Sequence, residues 1–188
     1  MLELKDGFIL YHGSYCEVKE PDLTKCAKRK DFGQGFYLTT SKKQAESFLR
    51  TSIAKAIAAG KIEEKQNYGY ISTFELKLSR DLKTHIFEDA DVDWLHCIAA
   101  HRKKKMFVEV EREMAKYDII AGKIADDATN ATLTAYLAGV FGTAGKKEAD
   151  DFCIKQLLPN KLKDQYCFKT QAAIECLKFV EGEKVCLK

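Results

Sequence analysis

The stretch DFGQGFYLTT, at residues 31–40, combines two glycines with a run of aromatic and β-branched residues. Glycine tolerates the backbone angles of a tight turn, whereas Tyr, Phe and Thr favour extended strands. Ser41 follows directly, and a serine at that place can cap a helix through KKQAESFLRTSIAKAIAA, which Gly60 closes. The residues therefore predict a turn, a strand and a helix in immediate succession.

Outward from this unit, strand and helix patterns are mixed without strict alternation. Residues 7–12 (GFILYH) predict a short buried strand, and the alternating YGYISTFELKL at 68–78 predicts the longest strand. Further strands are expected at 117–121, at 165–168 and in the terminal EKVCLK, and further helices from Asp91, over 129–141, over 146–157 and through QAAIECLKF after Thr170. The mixture predicts an α+β fold with a largely antiparallel sheet. The chain holds no GxGxxG that opens a helix and no GxxxxGK[ST] loop, which leaves the common Rossmann and P-loop folds without support.

Composition narrows the class of protein further. The 188 residues suit one domain over 1–188, and an apolar content of 46% supports a sizeable core. No apolar run approaches the ~20 residues of a membrane span. The acidic N-terminus lacks the apolar stretch of a signal peptide, so a cytoplasmic location is expected. A net charge of +3 is too mild to indicate nucleic acid. Seven cysteines without a CxxC pair predict free, mostly buried thiols.

Two short motifs carry candidate site residues. His12 ends the first predicted strand and is followed by Gly13 and Ser14. A glycine there allows close approach of a ligand, and its N–H and C=O together suit a planar amide. Tyr37 follows the paired Gly33 and Gly35 on the second predicted strand. The structural alternatives are a core histidine, a hairpin turn and a core aromatic ring.

These motifs resemble a known superfamily. YHGS (11–14) and FGQGFYLTT (32–40) resemble the first two motifs of the ADP-ribosyltransferases, in the His-Tyr-Glu branch of diphtheria-like toxins and poly(ADP-ribose) polymerases. The segment 163–179 is similar to the region of that branch's catalytic glutamate, and Gln165 falls at its place. The chain is more closely similar to a bacterial family of uncharacterised small proteins assigned to the superfamily, through YHGS, DFGQGFYLTTSKKQAESF, WLHCIAAHR, YDIIAGKIADD and LKDQYCFKTQAAIECLKF.

The resemblance implies a fold of split antiparallel β-sheets with flanking helices around an NAD cleft. NAD is then a substrate, and no metal is implied. Gly13 holds the nicotinamide amide through its backbone, His12 binds the adenosine-side ribose, and Tyr37 stacks on the nicotinamide ring. Gln165 faces the nicotinamide ribose. The implied cofactor-binding residues are His12, Gly13, Ser14, Gly35 and Tyr37, and the implied catalytic residues are Gln165, Tyr37 and His12.

The implied function is mono-ADP-ribosyl transfer from NAD to an unidentified macromolecule, with release of nicotinamide. A toxin or defence role follows, with a small antitoxin protein as a partner. Gln165 can bond a ribose hydroxyl, but it brings neither the charge nor the base of a glutamate. Two alternatives stay open. One is an NAD-binding or nucleotide-binding pseudoenzyme of the same fold. The other is an RNA 2′-phosphotransferase-like enzyme, which would favour a histidine at the place of Tyr37.

Other charged residues have competing interpretations. Asp126 and Asp127 are expected to cap the following helix, although either of them or Asp118 would also serve as the missing negative charge. Arg102 would reach a phosphate, but we expect it to begin a solvated basic face with Lys103, Lys104 and Lys105. The spacing of His85, His96 and His101 does not suit a metal site, so we expect core or solvated histidines.

Overall fold

The computed structural model describes residues 2–125, 127–157 and 162–187, with the side chains of residues 127 and 128 excluded. The strands are β1 (Ile9–Ser14), β2 (Phe36–Leu38), β3 (Tyr68–Leu76), β4 (Thr84–Ile86), β5 (Ile119–Lys123), β6 (Asp164–Phe168) and β7 (Leu177–Cys186). The helices are α1 (Lys42–Ser47), α2 (Leu49–Ala58), α3 (Val92–Arg102), α4 (Val108–Met114), α5 (Asp127–Leu137), α6 (Lys147–Leu157) and α7 (Gln171–Glu175).

The strands form two separate sheets. A three-stranded sheet has the order β1-β3-β7, and a four-stranded sheet has the order β2-β6-β5-β4. Every neighbouring pair is antiparallel except β4 and β5. Within the described residues, one isolated β-bridge, between Tyr11 and Thr39, joins the two sheets. The predicted α+β class and the predominance of antiparallel pairing are therefore confirmed.

Local signals set where three helices begin. The Ser41 hydroxyl accepts a hydrogen bond from Gln44 N at 3.3 Å, and Asp91 accepts one from Trp94 N at 2.9 Å. Thr170 accepts one from Ala173 N at 3.2 Å. Each cap satisfies a backbone N–H that the first helical turn leaves without a partner. These three helix starts are confirmed, although the chain divides the first predicted helix at Phe48 into α1 and α2.

The strand predicted in EKVCLK is present as the end of β7, but the extent of the helix predicted before it is wrong. The helix predicted through QAAIECLKF ends at Glu175, and the chain continues directly into the ten-residue strand β7. This strand pairs with β3 along its whole length, from Leu76 opposite Leu177 to Tyr68 opposite Cys186. Pairing with a long central strand outweighs the local helical pattern. The short elements β4 and α4 were not predicted.

Three apolar clusters hold the layers together. The inter-sheet core combines side chains of both sheets, among them Leu10, Phe36, Phe74, Tyr166 and Phe168. The helix-side core lies on the other face of the four-stranded sheet and includes Trp94, Ile98, Ile120, Leu133 and Tyr136. A smaller cluster of Ala45, Leu49 and Ile71 packs α1 and α2 on the three-stranded sheet. Side chains on the two faces of β6 therefore belong to two different clusters, Cys167 to the helix-side core and Tyr166 to the inter-sheet core.

Two expectations from composition can be compared with the structure. No helix of the described residues has the length and apolar character to cross a membrane. All seven cysteines are free thiols, as predicted. The expectation that most of them are buried is wrong, because only Cys97, Cys153 and Cys167 are buried.

Candidate functional site

The two sheets separate just beyond their single bridge. Tyr11 N donates to Thr39 O at 2.8 Å, and Thr39 N donates to Tyr11 O at 3.0 Å. Continuing this antiparallel alignment by two residues sets Gly13 of β1 opposite Tyr37 of β2. We call this place the split. It brings together the two motifs that the sequence analysis singled out.

Gly13 presents backbone groups to the split. Groups two residues apart along a strand point to the same edge, so the N–H and C=O of Gly13 point the same way as those of Tyr11. The Tyr11 groups are bonded to Thr39, whereas those of Gly13 have no hydrogen-bond partner within the described residues. Gly13 therefore offers one free donor, its N–H, and one free acceptor, its C=O, on the same edge of the strand.

The residue type at Gly13 has a separate explanation in packing. A Cβ atom at this position would lie 2.1 Å from the carbonyl oxygen of Ala45, in helix α1. Only a glycine lets α1 approach β1 this closely. The case for ligand binding therefore rests on the free backbone groups of Gly13, since its lack of a side chain is required by the helix.

His12 is fixed against β2. Its Nδ1 lies 2.8 Å from the carbonyl oxygen of Tyr37, and its ring centroid lies 4.4 Å from that of Phe36. Because a carbonyl only accepts, Nδ1 carries the hydrogen. Burial lowers the pKa of His12 below its ordinary value of 6.5, against the opposing effect of this hydrogen bond. The ring is therefore neutral near pH 7, and Nε2 is an acceptor. Ser14 lies on the same face of β1 and is buried.

The hydroxyl of Tyr37 closes the preceding turn. It accepts a hydrogen bond from Phe32 N at 2.9 Å and donates one to Gly33 O at 2.8 Å. Burial raises the pKa of Tyr37 well above 10, so the hydroxyl keeps its proton. Gly33 adopts a φ of +84°, as the predicted turn requires. The ring is half-buried. The backbone of Tyr37 is paired in β2 and its hydroxyl is bonded to the turn, so the ring has a fixed orientation.

Gly35 packs against the neighbouring strand. A Cβ atom on this residue would lie 2.4 Å from Cys167 Sγ and 2.8 Å from the carbonyl oxygen of Phe168. The glycine lets the chain lie close to β6 as it enters β2. Its described contacts are therefore with β6.

Gln165 lies near the start of β6, on the face that carries Tyr37. Tyr37 is paired with Cys167, and Gln165 is two residues away from Cys167 along the strand. Tyr166 and Phe168 point to the opposite face, into the inter-sheet core, as the alternation predicted. Gln165 itself is buried, with 5% of its surface exposed.

A buried carboxylate that the sequence analysis did not select lies beside Gln165. Gln165 Nε2 donates to Asp31 Oδ2 at 2.8 Å, and Ala125 N donates to the same oxygen at 3.1 Å. Arg102 approaches the other oxygen with Nη2 at 2.6 Å and Nε at 3.0 Å. Asp31 and Gln165 are 134 residues apart, so no local pattern links them. The sequence signal that could have pointed to Asp31 was its position as an acidic residue at the start of the turn before β2.

Arg102 corrects one expectation. Its guanidinium is largely buried against Asp31 and also donates to Ala125 O at 2.9 Å and to Asn130 Oδ1 at 3.1 Å. It therefore does not begin the solvated basic face that we expected, because an internal carboxylate and carbonyl bind it. The ion pair balances the charge of Asp31 inside the protein.

The remaining candidates have structural partners or lie outside the described residues. Asp118 accepts hydrogen bonds from Lys83 N at 2.9 Å and from the Thr170 hydroxyl at 2.8 Å, which ties β5 to the start of α7. Asp126 and the side chain of Asp127 lie outside the described residues. The three histidines of the sequence analysis contact separate groups: His85 packs on Phe87 and Tyr117, His96 bonds Asp150, and His101 bonds Cys97 O.

One cavity lies near the seam between the sheets. It has a volume of about 410 Å³ and is lined by residues that include Ile9, Thr40, Asp164 and Tyr166. These residues lie on the opposite side of the Tyr11–Thr39 bridge from Gly13, and the predicted site residues do not line this cavity. The cavity is therefore distinct from the split.

Fold and site together define an α+β protein whose two sheets separate at a facing Gly13 and Tyr37. Residues 8–179 match the family described as "Protein of unknown function (DUF3990)", and the chain belongs to that family. No curated protein and no solved structure gives a significant match.

Proposed function

We propose that the protein binds NAD in the split and breaks its nicotinamide–ribose bond, transferring ADP-ribose to a macromolecular acceptor. The observation that carries this proposal is the free N–H and C=O of Gly13, which lie opposite Tyr37 in the strand alignment. A carboxamide has one C=O and one NH₂, so it can bond both groups of Gly13 at once. We assign the half-buried ring of Tyr37 as the stacking surface for the nicotinamide.

The chemistry needs orientation and charge stabilisation. The bond between the ribose C1′ and the nicotinamide nitrogen breaks, and its electron pair leaves with nicotinamide. The positive charge that develops on the ribose is quenched when an acceptor oxygen or nitrogen bonds C1′ and loses its proton. Holding the leaving ring in a fixed place supports this step by positioning. Gly13 and Tyr37 are the residues assigned to that role.

His12 is assigned to a ribose hydroxyl. Its Nδ1 is occupied by the carbonyl of Tyr37, which leaves Nε2 as an acceptor. A hydroxyl group of the adenosine-side ribose would donate to it. Lys30 adds positive charge beside His12 and contributes to lowering the pKa of that ring.

The first experiment compares two dinucleotides on the unmodified protein. Nicotinic acid adenine dinucleotide replaces the carboxamide with a carboxylate, which has no N–H and would set an anion against Gly13 O. We expect it to bind at least about tenfold more weakly than NAD, because the carboxylate offers no N–H to the C=O of Gly13. Calorimetric titration measures both affinities. Equal affinities would contradict capture of the amide by Gly13.

The second experiment tests the stacking surface. Tyr37→Ala is expected to weaken NAD binding more than Tyr37→Phe does, because stacking needs the ring. Nicotinamide release at equal folded concentration gives the turnover of each variant. Equal losses of affinity in both variants would contradict the stacking role.

A second candidate function is NAD binding without turnover. Gln165 carries no charge, and Arg102 pairs the neighbouring carboxylate of Asp31. The described groups around Gln165 thus offer the ribose cation no unpaired negative charge. Measurable binding of NAD without any release of nicotinamide would favour this alternative over transfer.

A further inference from the structure

The amide of Gln165 has one orientation. Its nitrogen end lies 2.8 Å from Asp31 Oδ2 and 3.3 Å from the carbonyl oxygen of Lys123. Both neighbours are hydrogen-bond acceptors, so the NH₂ group must lie between them. A flipped amide would set its oxygen against two other oxygens. Asp31 and Lys123 therefore fix which end of the side chain is the donor.

The oxygen end is left free for another molecule. The described hydrogen bonds of Gln165 all use Nε2. Among the described residues, no side-chain nitrogen or oxygen is buried without a partner. Oε1 has no partner among the described residues and is therefore not completely enclosed, although the residue as a whole is buried. It belongs to the face of the four-stranded sheet that carries Tyr37.

Asp31 is itself held firmly. Arg102 bonds one of its oxygens twice, and Ala125 N bonds the other. The carboxylate cannot turn away from Gln165 without breaking these contacts. Its position is set by α3 and by the segment that follows β5, two elements that belong to the scaffold.

We infer that Asp31 is a positioning residue that locks the Gln165 amide so that Oε1 accepts a hydrogen bond from a ribose hydroxyl of NAD. The inference rests on the proposed function. It assigns Gln165 the role of an uncharged acceptor at the ribose. The negative charge lies one residue further from the substrate, on Asp31, where Arg102 balances it.

The inference predicts that placing a glutamate at position 165 by itself does not increase nicotinamide release. In Gln165→Glu, a second carboxylate stands within hydrogen-bond distance of Asp31. Two adjacent carboxylates do not both ionise readily, so they share a proton or separate. We therefore expect Q165E alone to release nicotinamide no faster than the parent protein, with a rate that varies with pH as the shared proton is lost.

The converse variant disturbs the lock from the other side. Asp31→Asn offers an NH₂ group towards Gln165, which then turns Oε1 inward to accept from it. The ribose loses its acceptor, so we expect about a fivefold to tenfold loss in NAD affinity or nicotinamide release, the value of one hydrogen bond. Asp150→Asn, at a buried aspartate in the helix-side part of the protein, is the matched control.

The decisive variant exchanges the two groups. In the double variant D31N/Q165E, the amide of residue 31 donates to the carboxylate of residue 165, and Arg102 still bonds the amide oxygen. The total charge equals that of the parent. The exchange loses the bonds to Ala125 N and to Lys123 O, but it restores a donor–acceptor pair between residues 31 and 165 and presents a carboxylate oxygen to the ribose.

The test is a double-mutant cycle on NAD affinity and nicotinamide release, with thermal midpoints recorded for each protein. We expect the double variant to exceed both single variants in release, or in affinity if the protein only binds NAD. Additive losses in folded proteins would overturn the role of Asp31 while leaving the proposed function intact. Absence of both binding and release in the parent protein would overturn the proposed function and this inference together.

Discussion

Asp31 and Asp150 are both buried aspartates that each bond three partners among the described residues, yet their surroundings differ. Asp150 accepts from the Tyr136 hydroxyl at 2.5 Å, from His96 Nε2 at 2.8 Å and from Gly145 N at 3.0 Å. These partners join α3, α5 and the loop before α6. Asp31 instead bonds a side chain on the sheet face that leads to the split. A buried carboxylate alone thus says little about function, and its neighbours assign its role.

The neighbourhood of Asp150 also shows why a cavity alone does not identify a site. A cavity of about 450 Å³ lies beside His96, and its lining includes Asp91, Asp93 and Glu113. The His96 ring is stacked on Phe107 with centroids 4.1 Å apart. Its bond to Asp150 and this stacking give His96 a packing role. The split has instead free backbone groups and an aligned aromatic ring.

The largest effect is expected from Asp150→Ala. The substitution leaves the Tyr136 hydroxyl, His96 and Gly145 N without their acceptor, and breaking such a buried set costs about 3–5 kcal/mol of unfolding free energy. Urea unfolding measures the change. Nicotinamide release per folded molecule should not change, because these residues lie away from the split.

Asp151→Ala is the matched control for that change. Asp151 is the next residue of α6 and pairs with Lys147 at 2.6 Å on the surface. Exposed pairs of this kind contribute less than about 0.5 kcal/mol. Equal destabilisation by the two substitutions would remove the distinction between a buried junction and a surface pair.

A smaller effect is expected from Tyr37→Phe on stability. The hydroxyl that joins Phe32 N and Gly33 O is lost, which leaves a donor and an acceptor of the turn without that partner, at a cost of about 1–2 kcal/mol. Tyr166→Phe is the comparison, because the Tyr166 hydroxyl makes one bond, to Glu3 O at 2.9 Å. Thermal unfolding of both variants is the measurement. A Tyr37→Phe protein as stable as its parent would show that the turn does not depend on this hydroxyl.

The smallest effect concerns pH. The pKa of His12 is lowered by burial, so the neutral ring persists below pH 6.5 and protonates only as the pH falls further. Protonation occupies the Nε2 acceptor and places a charge in a buried site. NAD affinity should be constant between pH 7 and 8 and should fall by up to about tenfold for each pH unit below the pKa of His12.

The pH prediction has a simple control. His12→Gln removes the titrating ring and keeps an acceptor. The NAD affinity of this variant, measured by calorimetry, should not fall at acidic pH, whereas that of the parent protein should. An unchanged pH profile in the variant would assign the titration to another group.

Sequence and structure agree where the signals are local. Ser41, Asp91 and Thr170 cap helices through bonds that reach three residues, and the hydrophobic alternation of β6 correctly separated Gln165 from Tyr166. The terminal strand was predicted only in EKVCLK, and its start at Leu177 could not be predicted, because the pairing of β7 with β3 spans about a hundred residues of chain.

The candidate site divides in the same way. The two short motifs singled out in the sequence lie side by side, because the Tyr11–Thr39 bridge aligns Gly13 with Tyr37. Asp31 stood in the stretch that predicted the turn, but its partners, Gln165 and Arg102, come from distant segments. Only the assembled sheets bring these three side chains together, so sequence patterns gave no indication of the network.

The most direct test of the central claim follows the amide proton of Gly13. Its exchange with solvent deuterium should be fast in the free protein, because this N–H has no described partner, whereas the bonded N–H of Tyr11 should exchange slowly throughout. Saturating NAD is predicted to protect Gly13 and to leave Tyr11 unchanged. Binding of NAD without any new protection of Gly13, or no binding of NAD at all, would contradict the account.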